Sequence, residues 1–154
     1  MVRYKNRYIV LEVNSNTSSN SIDYTPLKLT DSALNHSLHV KMQQLHGDFG
    51  IAAIRAGLYV KYINELTKVA VIKCRHGPHT LITSVIPFIT HIESHNVSCN
   101  ILYVGATLRK CFSFIKLHQE RKCDEFCAHI DSEEAKQLRA VLLNFEKLLN
   151  VVVN

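Results

Sequence analysis

Hydrophobic side chains recur with two periods along this chain, and the order of the two periods limits the folds open to it. A period of two predicts strands, and spacings of three and four predict helices. The strands are predicted within residues 9–13, 51–63, 68–75 and 100–107. The helices are predicted from Thr30 or Asp31 to about Leu45, from Gly77 across Pro87, from Leu108 to about Glu120, and from Asp131 onward.

This order is β-α-β-β-α-β followed by helices, which is that of the ferredoxin-like α+β sandwich with additional C-terminal helices. Gly47 is predicted to end the first helix, and Pro87 to kink the second with Phe88 packed near the bend. The segment from Ile51 to Ile63 is assigned to a strand, and Asp131 with Glu134 forms a capping-box pattern.

The predicted strands have one apolar face and one mixed face. The apolar faces carry Ile9, Leu11 and Val13 in the first strand, Leu58, Val60 and Tyr62 in the second, Ala70, Ile72 and Cys74 in the third, and Leu102, Val104 and Ala106 in the fourth. The opposite face mixes aromatic and cationic residues, namely Tyr8, Tyr59, Lys61, Lys73, Arg75 and Tyr103. Such a mixture is typical of RNA-binding sheets, and the alternative is that the C-terminal helices cover this face.

Charge divides the chain unequally. Residues 1–122 carry 15 Lys and Arg against 7 Asp and Glu, a balance of +8, whereas residues 123–154 carry 3 against 6, a balance of −3. The division predicts a domain over 1–122 and a helical extension over 123–154. The polar run from Asn14 to Asn20 cannot bury enough surface to order itself, so residues 14–29 are predicted to be a mobile loop within the domain. A basic domain attracts polyanions.

The segment from Ser98 to His118 reads as a strand that turns into a helix. Gly105 leaves space beside the backbone, Thr107 offers a capping hydroxyl, and Arg109 and Lys110 fall in the first helical turn. The corner suits a phosphate, although a plain strand–helix junction has the same sequence.

The cations are the candidate RNA contacts. The basic, aromatic N-terminal residues are either a phosphate-contacting arm or a frayed terminus. The full set predicted to contact RNA is Arg3, Lys5, Arg7, Arg55, Lys61, Lys73, Arg75, Arg109 and Lys110.

Enzymatic motifs are absent from the sequence. It has no phosphate-binding P-loop, nucleophile elbow or zinc-protease helix, and no catalytic or metal-binding residue is assigned. Two weaker sets are a nucleophile-and-base set of Cys74, His76 and His79, and a zinc-like set of His118, Cys123, Cys127 and His129. Five cysteines in apolar segments predict free thiols, and the lack of a long apolar run predicts no membrane span.

Several short motifs resemble the Pop-five family of protein subunits of ribonuclease P, shared with ribonuclease MRP. They occur in family-like order and spacing at 1–8 (MVRYKNRY), 46–50 (HGDFG), 60–64 (VKYIN), 87–90 (PFIT) and 104–111 (VGATLRKC). The resemblance spans residues 1 to about 120 and implies an RRM-like sandwich.

The resemblance also implies a function. A family member is a non-catalytic subunit that supports an RNA, and this RNA uses magnesium to remove the 5′ leader from precursor tRNA; the MRP particle implies precursor rRNA as a second substrate. No cofactor is implied for the chain itself. The implied partners are the ribonuclease P and MRP RNAs, a TIM-barrel-like subunit of about thirty kilodaltons and a related small Rpp subunit, in the nucleus and nucleolus.

We therefore interpret the chain as an RNA-binding scaffold. Two alternatives remain open at the level of sequence. One is a protein–protein adaptor in the same particle with little RNA contact, which predicts scattered cations and an exposed stripe from Leu138 to Leu149. The other is a small zinc- or ligand-binding regulator, which requires convergent Cys and His side chains.

Overall fold

The computed structural model describes residues 4–16 and 28–153 of the chain. Within these residues, the strands and α-helices follow one another in the order β1 (Asn6–Ser15), α1 (Asp31–Ile54), β2 (Tyr59–Asn64), β3 (Val69–Arg75), α2 (His79–Val85), β4 (His91–Ile92), β5 (His95–Gly105), α3 (Leu108–Cys127), α4 (Ser132–Leu142) and α5 (Glu146–Val153). No described helix combines the length and apolar character needed to cross a membrane.

The strands form one antiparallel sheet in the order β2-β3-β1-β5-β4. β1 is central and pairs with both β3 and β5, and the short β4 adds a hairpin to β5. The predicted β-α-β-β-α-β sandwich with C-terminal helices is therefore confirmed.

Helices cover the sheet on both faces and create two cores. The first core lies against α1 and α2 and includes Ile9, Leu11, Ile72, Leu38 and Ile82. The second core lies against α3 and α5 and consists of buried Val10, Tyr62, Val69, Val71, Cys111, Ile115 and Leu148. The alternative in which C-terminal helices cover the mixed face is thus correct for the centre of the sheet.

Two β-bulges change the predicted facing of side chains. In β5, the pairing passes from Val10↔Tyr103 to Leu11↔Ile101, so Leu102 is an extra residue. Ile101 consequently packs against the first core and Leu102 and Tyr103 against the second. Val104, predicted to be buried, is 39% exposed.

The bulge in β2 has the same effect. Its pairing passes from Val60↔Ile72 to Tyr62↔Val71, which leaves Lys61 unpaired. Val60 therefore packs against the first core while Tyr62 is buried in the second. The prediction that both residues share one face is wrong, because an extra residue reverses the alternation along a strand.

Glycine and proline act differently from the predictions for α1 and α2. Gly47 leaves the helical conformation (φ 58°, ψ −152°), but helical structure resumes after it and runs to Ile54, where a strand had been predicted. α2 ends before Pro87, which lies in a 3-10 turn spanning Ile86–Phe88, so the helix stops instead of kinking. Phe88 is 59% exposed and does not pack at a bend.

The predicted boundaries fall at different places in the structure. α3 continues past Glu120 to Cys127, so residue 122 lies inside this helix. Asp131 caps α4 with its backbone conformation but without the hydrogen bond predicted for its side chain. Asn14 and Ser15, the start of the predicted loop at 14–29, belong to β1 and pair with β5; residues 17–27 of that loop lie outside the described residues.

Candidate nucleic-acid interface

A row of polar and aromatic residues crosses one end of the sheet. In register, Lys73 of β3 lies opposite Tyr59 of β2 and Tyr8 of β1, and Tyr8 lies opposite Gly105 of β5. Residues two apart on a strand share a face, so Lys73 and Arg75 continue the face on which Val69 and Val71 enter the second core. The row therefore lies on the α3 side of the sheet. It runs from Gly105, which is buried, and Tyr8, which packs against the second core, out to the exposed Tyr59.

Arg75 is held in place by neighbours on both sides. Its guanidinium carbon lies 4.5 Å from the centre of the Tyr4 ring, a cation–π contact. Its stem passes Gly57, where an added Cβ would lie 2.9 Å from Arg75 Cγ and where φ is +120°. We call the surface formed by Tyr4, Tyr8, Tyr59, Lys73 and Arg75 the sheet-end strip.

The start of α3 continues the sheet-end strip through Gly105. Thr107 is the N-cap, and its Oγ1 accepts a hydrogen bond from the Lys110 backbone N–H at 3.3 Å. Arg109 and Lys110 follow in the first turn and are exposed. The structure thus places these two cations at the same end of the sheet as Lys73 and Arg75.

Gly105 has a different role from the one predicted. It is buried, and a Cβ there would lie 2.8 Å from Tyr103 Cε1 and 2.9 Å from Cys111 Sγ. The space beside Gly105 is therefore taken by side chains of β5 and α3. Gly105 allows α3 to pack closely against the sheet, and in this structure it leaves no opening for a phosphate.

Arg7 belongs to the opposite face. It lies opposite Cys74 in register and shares the face of Ile9, which enters the first core. His76 and His79 are stacked with ring centres 5.1 Å apart, and burial, then the charges of His76 and Arg7, lowers the pKa of His79. Lys5 is exposed and its carbonyl accepts a hydrogen bond from the His76 N–H.

The remaining predicted cations are dispersed. Arg55 is exposed just after α1, and Lys61 is exposed at the bulge of β2. Arg3 lies outside the described residues. Of the nine predicted RNA contacts, Lys73, Arg75, Arg109 and Lys110 form one surface.

Two cations on α3 were missed. Lys116 follows Arg109 by seven residues and Arg121 follows Lys110 by eleven, spacings that return to the same side of a helix, and both are exposed. The helical period was visible in the sequence, but the helix had been predicted to end near Glu120. We call Arg109, Lys110, Lys116 and Arg121 the α3 basic face.

The nucleophile-and-base set has no support in the geometry. Burial raises the pKa of the Cys74 thiol to about 12, although the nearby Arg7 charge opposes the shift. A thiol with such a pKa is almost entirely protonated at neutral pH and is a poor nucleophile. The Cys74 thiol instead donates a weak hydrogen bond to the Arg7 carbonyl.

The zinc-like set is only partly assembled. Cys123 Sγ and Cys127 Sγ lie 3.8 Å apart on successive turns of α3. Over residues 4–16 and 28–153, no three His, Cys, Asp or Glu side chains are grouped so that they could hold a metal ion. The structure does not bring His118 and His129 to the two thiols as a ligand set.

Comparison with known proteins identifies relatives of this chain. Residues 7–116 match the model of the Rpp14/Pop5 family. The ribonuclease P/MRP protein subunit POP5 of Mus musculus is 35% identical over 126 residues, covering 79% of this chain and 72% of the mouse protein. The human protein of the same name is 34% identical over 126 residues, covering 79% and 74%. The probable POP5 subunit of Arabidopsis thaliana is 24% identical over 151 residues, covering 97% and 100%.

A structural relative agrees with the fold. A chain in the cryo-EM structure of yeast ribonuclease MRP matches with a TM-score of 0.53 at 14% identity, covering 80% of this chain and 98% of that chain. At this identity the likeness concerns the fold alone. The family model covers both the central sheet and the first turns of α3, and the mammalian relatives are more than 30% identical over most of the chain. The resemblance inferred from short motifs is thereby confirmed, and the chain belongs to the Rpp14/Pop5 family.

Proposed function

We propose that this chain is a non-catalytic protein subunit of the ribonuclease P and ribonuclease MRP particles. In this role it binds and stabilises the RNA that removes 5′ leaders from precursor tRNA and processes precursor rRNA. Family membership supports the proposal, as do relatives that are named as subunits of these particles. Magnesium belongs to the RNA in this proposal, and the chain works in the nucleus and nucleolus.

RNA binding is supported by one observation: among the described residues, the cations of the sheet-end strip and the α3 basic face form no ion pair with a carboxylate. The ion pairs of the described residues join Lys122 to Glu12, Lys136 to Glu133 and Arg139 to Asp124. None of them uses Lys73, Arg75 or the four cations of the α3 basic face. These charges have no carboxylate partner in the described part of the chain and are available to phosphates.

Aromatic rings give the same surface a second means of contact. Tyr4 is 73% exposed and Tyr59 is 58% exposed, and both flank the cations of the sheet-end strip. Exposed rings stack on unpaired bases while cations bind the backbone. We infer that the RNA lies across the end of the sheet and along the start of α3.

The partner proteins belong on another surface. Val40, Leu45 and Phe49 are exposed on α1, Phe49 by 75%, while the inner side of the helix packs into the first core. Apolar side chains on a surface helix favour protein contact. We propose that the stretch of α1 from Val40 to Phe49 receives a protein subunit, the candidates being the TIM-barrel-like subunit and the small Rpp subunit.

The alternative role as an adaptor with little RNA contact has one observation in its favour. Large apolar side chains are exposed at several separate places, including Phe88, Phe126 and Val141. The clustering of four predicted cations with two further ones on α3 favours the RNA-binding scaffold instead.

Titration with a transcribed ribonuclease P RNA at several salt concentrations tests the proposal. Each of Arg109→Ala, Lys110→Ala and Lys116→Ala is expected to weaken binding and to reduce the slope of log affinity against log salt by about one, because each removes a phosphate contact. Lys136→Ala is the matched control, since Lys136 is an exposed helical lysine on α4 that already pairs with Glu133. Unchanged slopes for all three variants would support the adaptor role and overturn the RNA-binding scaffold.

A further inference from the structure

The start of β1 and the turn between β3 and α2 bring together Arg7, His76 and His79. Arg7 shares the face of Ile9, which enters the first core, so it lies on the opposite face of the sheet from the sheet-end strip. The two imidazole rings stack with centres 5.1 Å apart and planes 24° from parallel. The charge of Arg7 acts on the second ring. We call Arg7, His76 and His79 the histidine cluster.

The turn that holds the two histidines is attached to β1 and has a defined backbone. The His76 backbone N–H donates a hydrogen bond to the Lys5 carbonyl at 2.8 Å. Gly77 follows with a φ of 103°, a left-handed conformation that favours glycine. Its carbonyl accepts hydrogen bonds from the backbone N–H and the hydroxyl of Thr80 at 3.2 and 2.9 Å. The rings are therefore carried by backbone that is held on both sides.

The members of the histidine cluster have hydrogen-bond donors that solvent can reach. The Gly77 backbone N–H donates to His79 Nδ1 at 3.1 Å, so the hydrogen of the neutral ring is on Nε2. Among the described residues this Nε2 atom has no partner, and it is not buried. His76 is exposed. Arg7 donates through Nη1 to the Asn6 carbonyl at 3.0 Å, and its other N–H groups have no partner in the described part of the chain.

The charges that act on His79 are all positive. Burial lowers the pKa of His79, and the charges of His76 and Arg7 lower it further; no carboxylate of the described residues opposes them. The ion pairs of residues 4–16 and 28–153 include neither Arg7 nor the exposed Lys5 beside it. Cations gathered without a carboxylate attract an anion, and guanidinium and imidazole N–H groups suit the oxygen atoms of a phosphate.

The histidine cluster is continuous with the sheet-end strip around the ends of β1 and β3. Arg75 of the strip directly precedes His76 in the sequence. Tyr4 contacts Arg75 and directly precedes Lys5, whose carbonyl accepts the bond from His76. The two strands therefore present cations on both faces at this end of the sheet. A strand of RNA that crosses the sheet-end strip reaches the histidine cluster by passing the ends of β1 and β3.

We propose that the histidine cluster binds a backbone phosphate of the RNA on the α2 side of the sheet. The Arg7 guanidinium supplies the positive charge, and the rings of His79 and His76 supply hydrogen bonds. The inference rests on the proposed function, because the same RNA lies on the sheet-end strip. It adds a second surface, so that the RNA contacts this end of the sheet from both faces.

Two substitutions of His79 separate its two ring nitrogens in titrations with ribonuclease P RNA. His79→Asn keeps an acceptor for the Gly77 N–H and removes Nε2–H, and it is expected to weaken binding about tenfold. His79→Gln places an amide N–H near the position of Nε2 and is expected to restore most of this loss, although it lacks the acceptor for Gly77. His91→Asn, on the exposed edge strand β4, is the matched control and is expected to bind as the wild type does.

The ring of His79 gives a second readout, measured by NMR on the full chain with a short RNA oligonucleotide. A bound phosphate places a negative charge beside a ring that otherwise faces cations, so RNA is expected to raise the pKa of His79. By linkage, RNA is expected to bind the wild type more tightly as the pH falls from 8 to 6. This increase is expected to be smaller for His79→Asn.

Two results would overturn the proposal. One is a His79→Asn variant that binds RNA as the wild type does, with a pKa of His79 that RNA leaves unchanged. The other is a rise in this pKa with inorganic tripolyphosphate but not with RNA, because it would identify a site for a free anion.

Failure of this inference is distinguishable from failure of the proposed function. Reduced salt slopes for the variants of the α3 basic face, together with wild-type behaviour of His79→Asn, would leave the proposed function intact and reject the histidine cluster. Unchanged salt slopes for those variants would instead reject the RNA-binding scaffold on which the inference rests.

Discussion

Gly105 is the residue at which β5 and α3 come closest. An added Cβ would lie within 3 Å of both Tyr103 and Cys111, so one of the two elements must move to accept it. Overpacking of this kind costs about 1–3 kcal/mol. Gly105→Ala is therefore expected to lower the free energy of unfolding in urea by that amount. Ala106→Ser, at the exposed neighbouring position, is the control and is expected to stay within about 0.5 kcal/mol of the wild type.

The ion pair between Lys122 and Glu12 makes the stability depend on pH. Burial alone would raise the pKa of Glu12, but hydrogen bonds from Lys122 and Asn14 and the charges of Lys122 and His118 lower it below its ordinary value of 4.5. The ionised carboxylate therefore stabilises the fold above pH 4.5, and this contribution is lost as the pH falls through the lowered pKa.

Lys122→Met is expected to lower the free energy of unfolding by about 1 kcal/mol at pH 7 and by progressively less towards pH 4. His118 also makes the difference between wild type and variant smaller at low pH. Burial and the charge of Lys122 lower the pKa of His118, and Lys122→Met removes the effect of the lysine charge, so protonation of His118 destabilises the variant less than the wild type. Urea unfolding at pH 7, 5 and 4 measures the difference, with Lys136→Met as the exposed control. A difference that is constant across these pH values would contradict the assignment.

At the scale of elements, α5 packs against the second core through Leu148, and the partly buried Val151 also contacts this core. Leu148 is 1% exposed and belongs to the second core, whereas the adjacent Leu149 is 48% exposed. Leu148→Ala is expected to destabilise the protein by about 2–4 kcal/mol, because it removes buried apolar surface and leaves a cavity. Leu149→Ala is the matched control, with an expected effect below about 1 kcal/mol. Equal effects in thermal unfolding would show that α5 does not contribute to the second core.

Local sequence signals predicted which helices and strands form. They did not predict where some helices end or which face of the sheet some strand residues occupy. The Thr30 and Thr107 caps and the alternation of Ala70, Ile72 and Cys74 were visible because each depends on neighbouring residues. The bulges at Lys61 and Leu102 depend on pairing with another strand, so the period within one strand could not indicate them. Past Glu120, α3 makes contacts with residues distant in sequence: Lys122 pairs with Glu12 of β1, and Asp124 pairs with Arg139 of α4. The local period could not indicate these contacts.

At the scale of the whole molecule, the sequence indicated which types of residue form the candidate nucleic-acid interface, but it located only some of these residues correctly. Register across β2, β3, β1 and β5 brings Lys73 and Arg75 to the same end of the sheet as Arg109 and Lys110, and this follows from the predicted topology. The sequence did not indicate that α3 and α5 cover the centre of the sheet, because the apolar stripe of an amphipathic helix can pack against its own domain or against a partner protein.

The central place of β1 in the sheet has a consequence for synthesis on the ribosome. This strand is made early, yet it lies between β3 and β5, and its second edge has no partner until residue 105 has left the exit tunnel. An apolar strand with an unpaired edge is prone to pair with other chains. All residues up to 105 must therefore emerge before this edge is protected, and during that interval nascent copies on one polysome need shielding from one another.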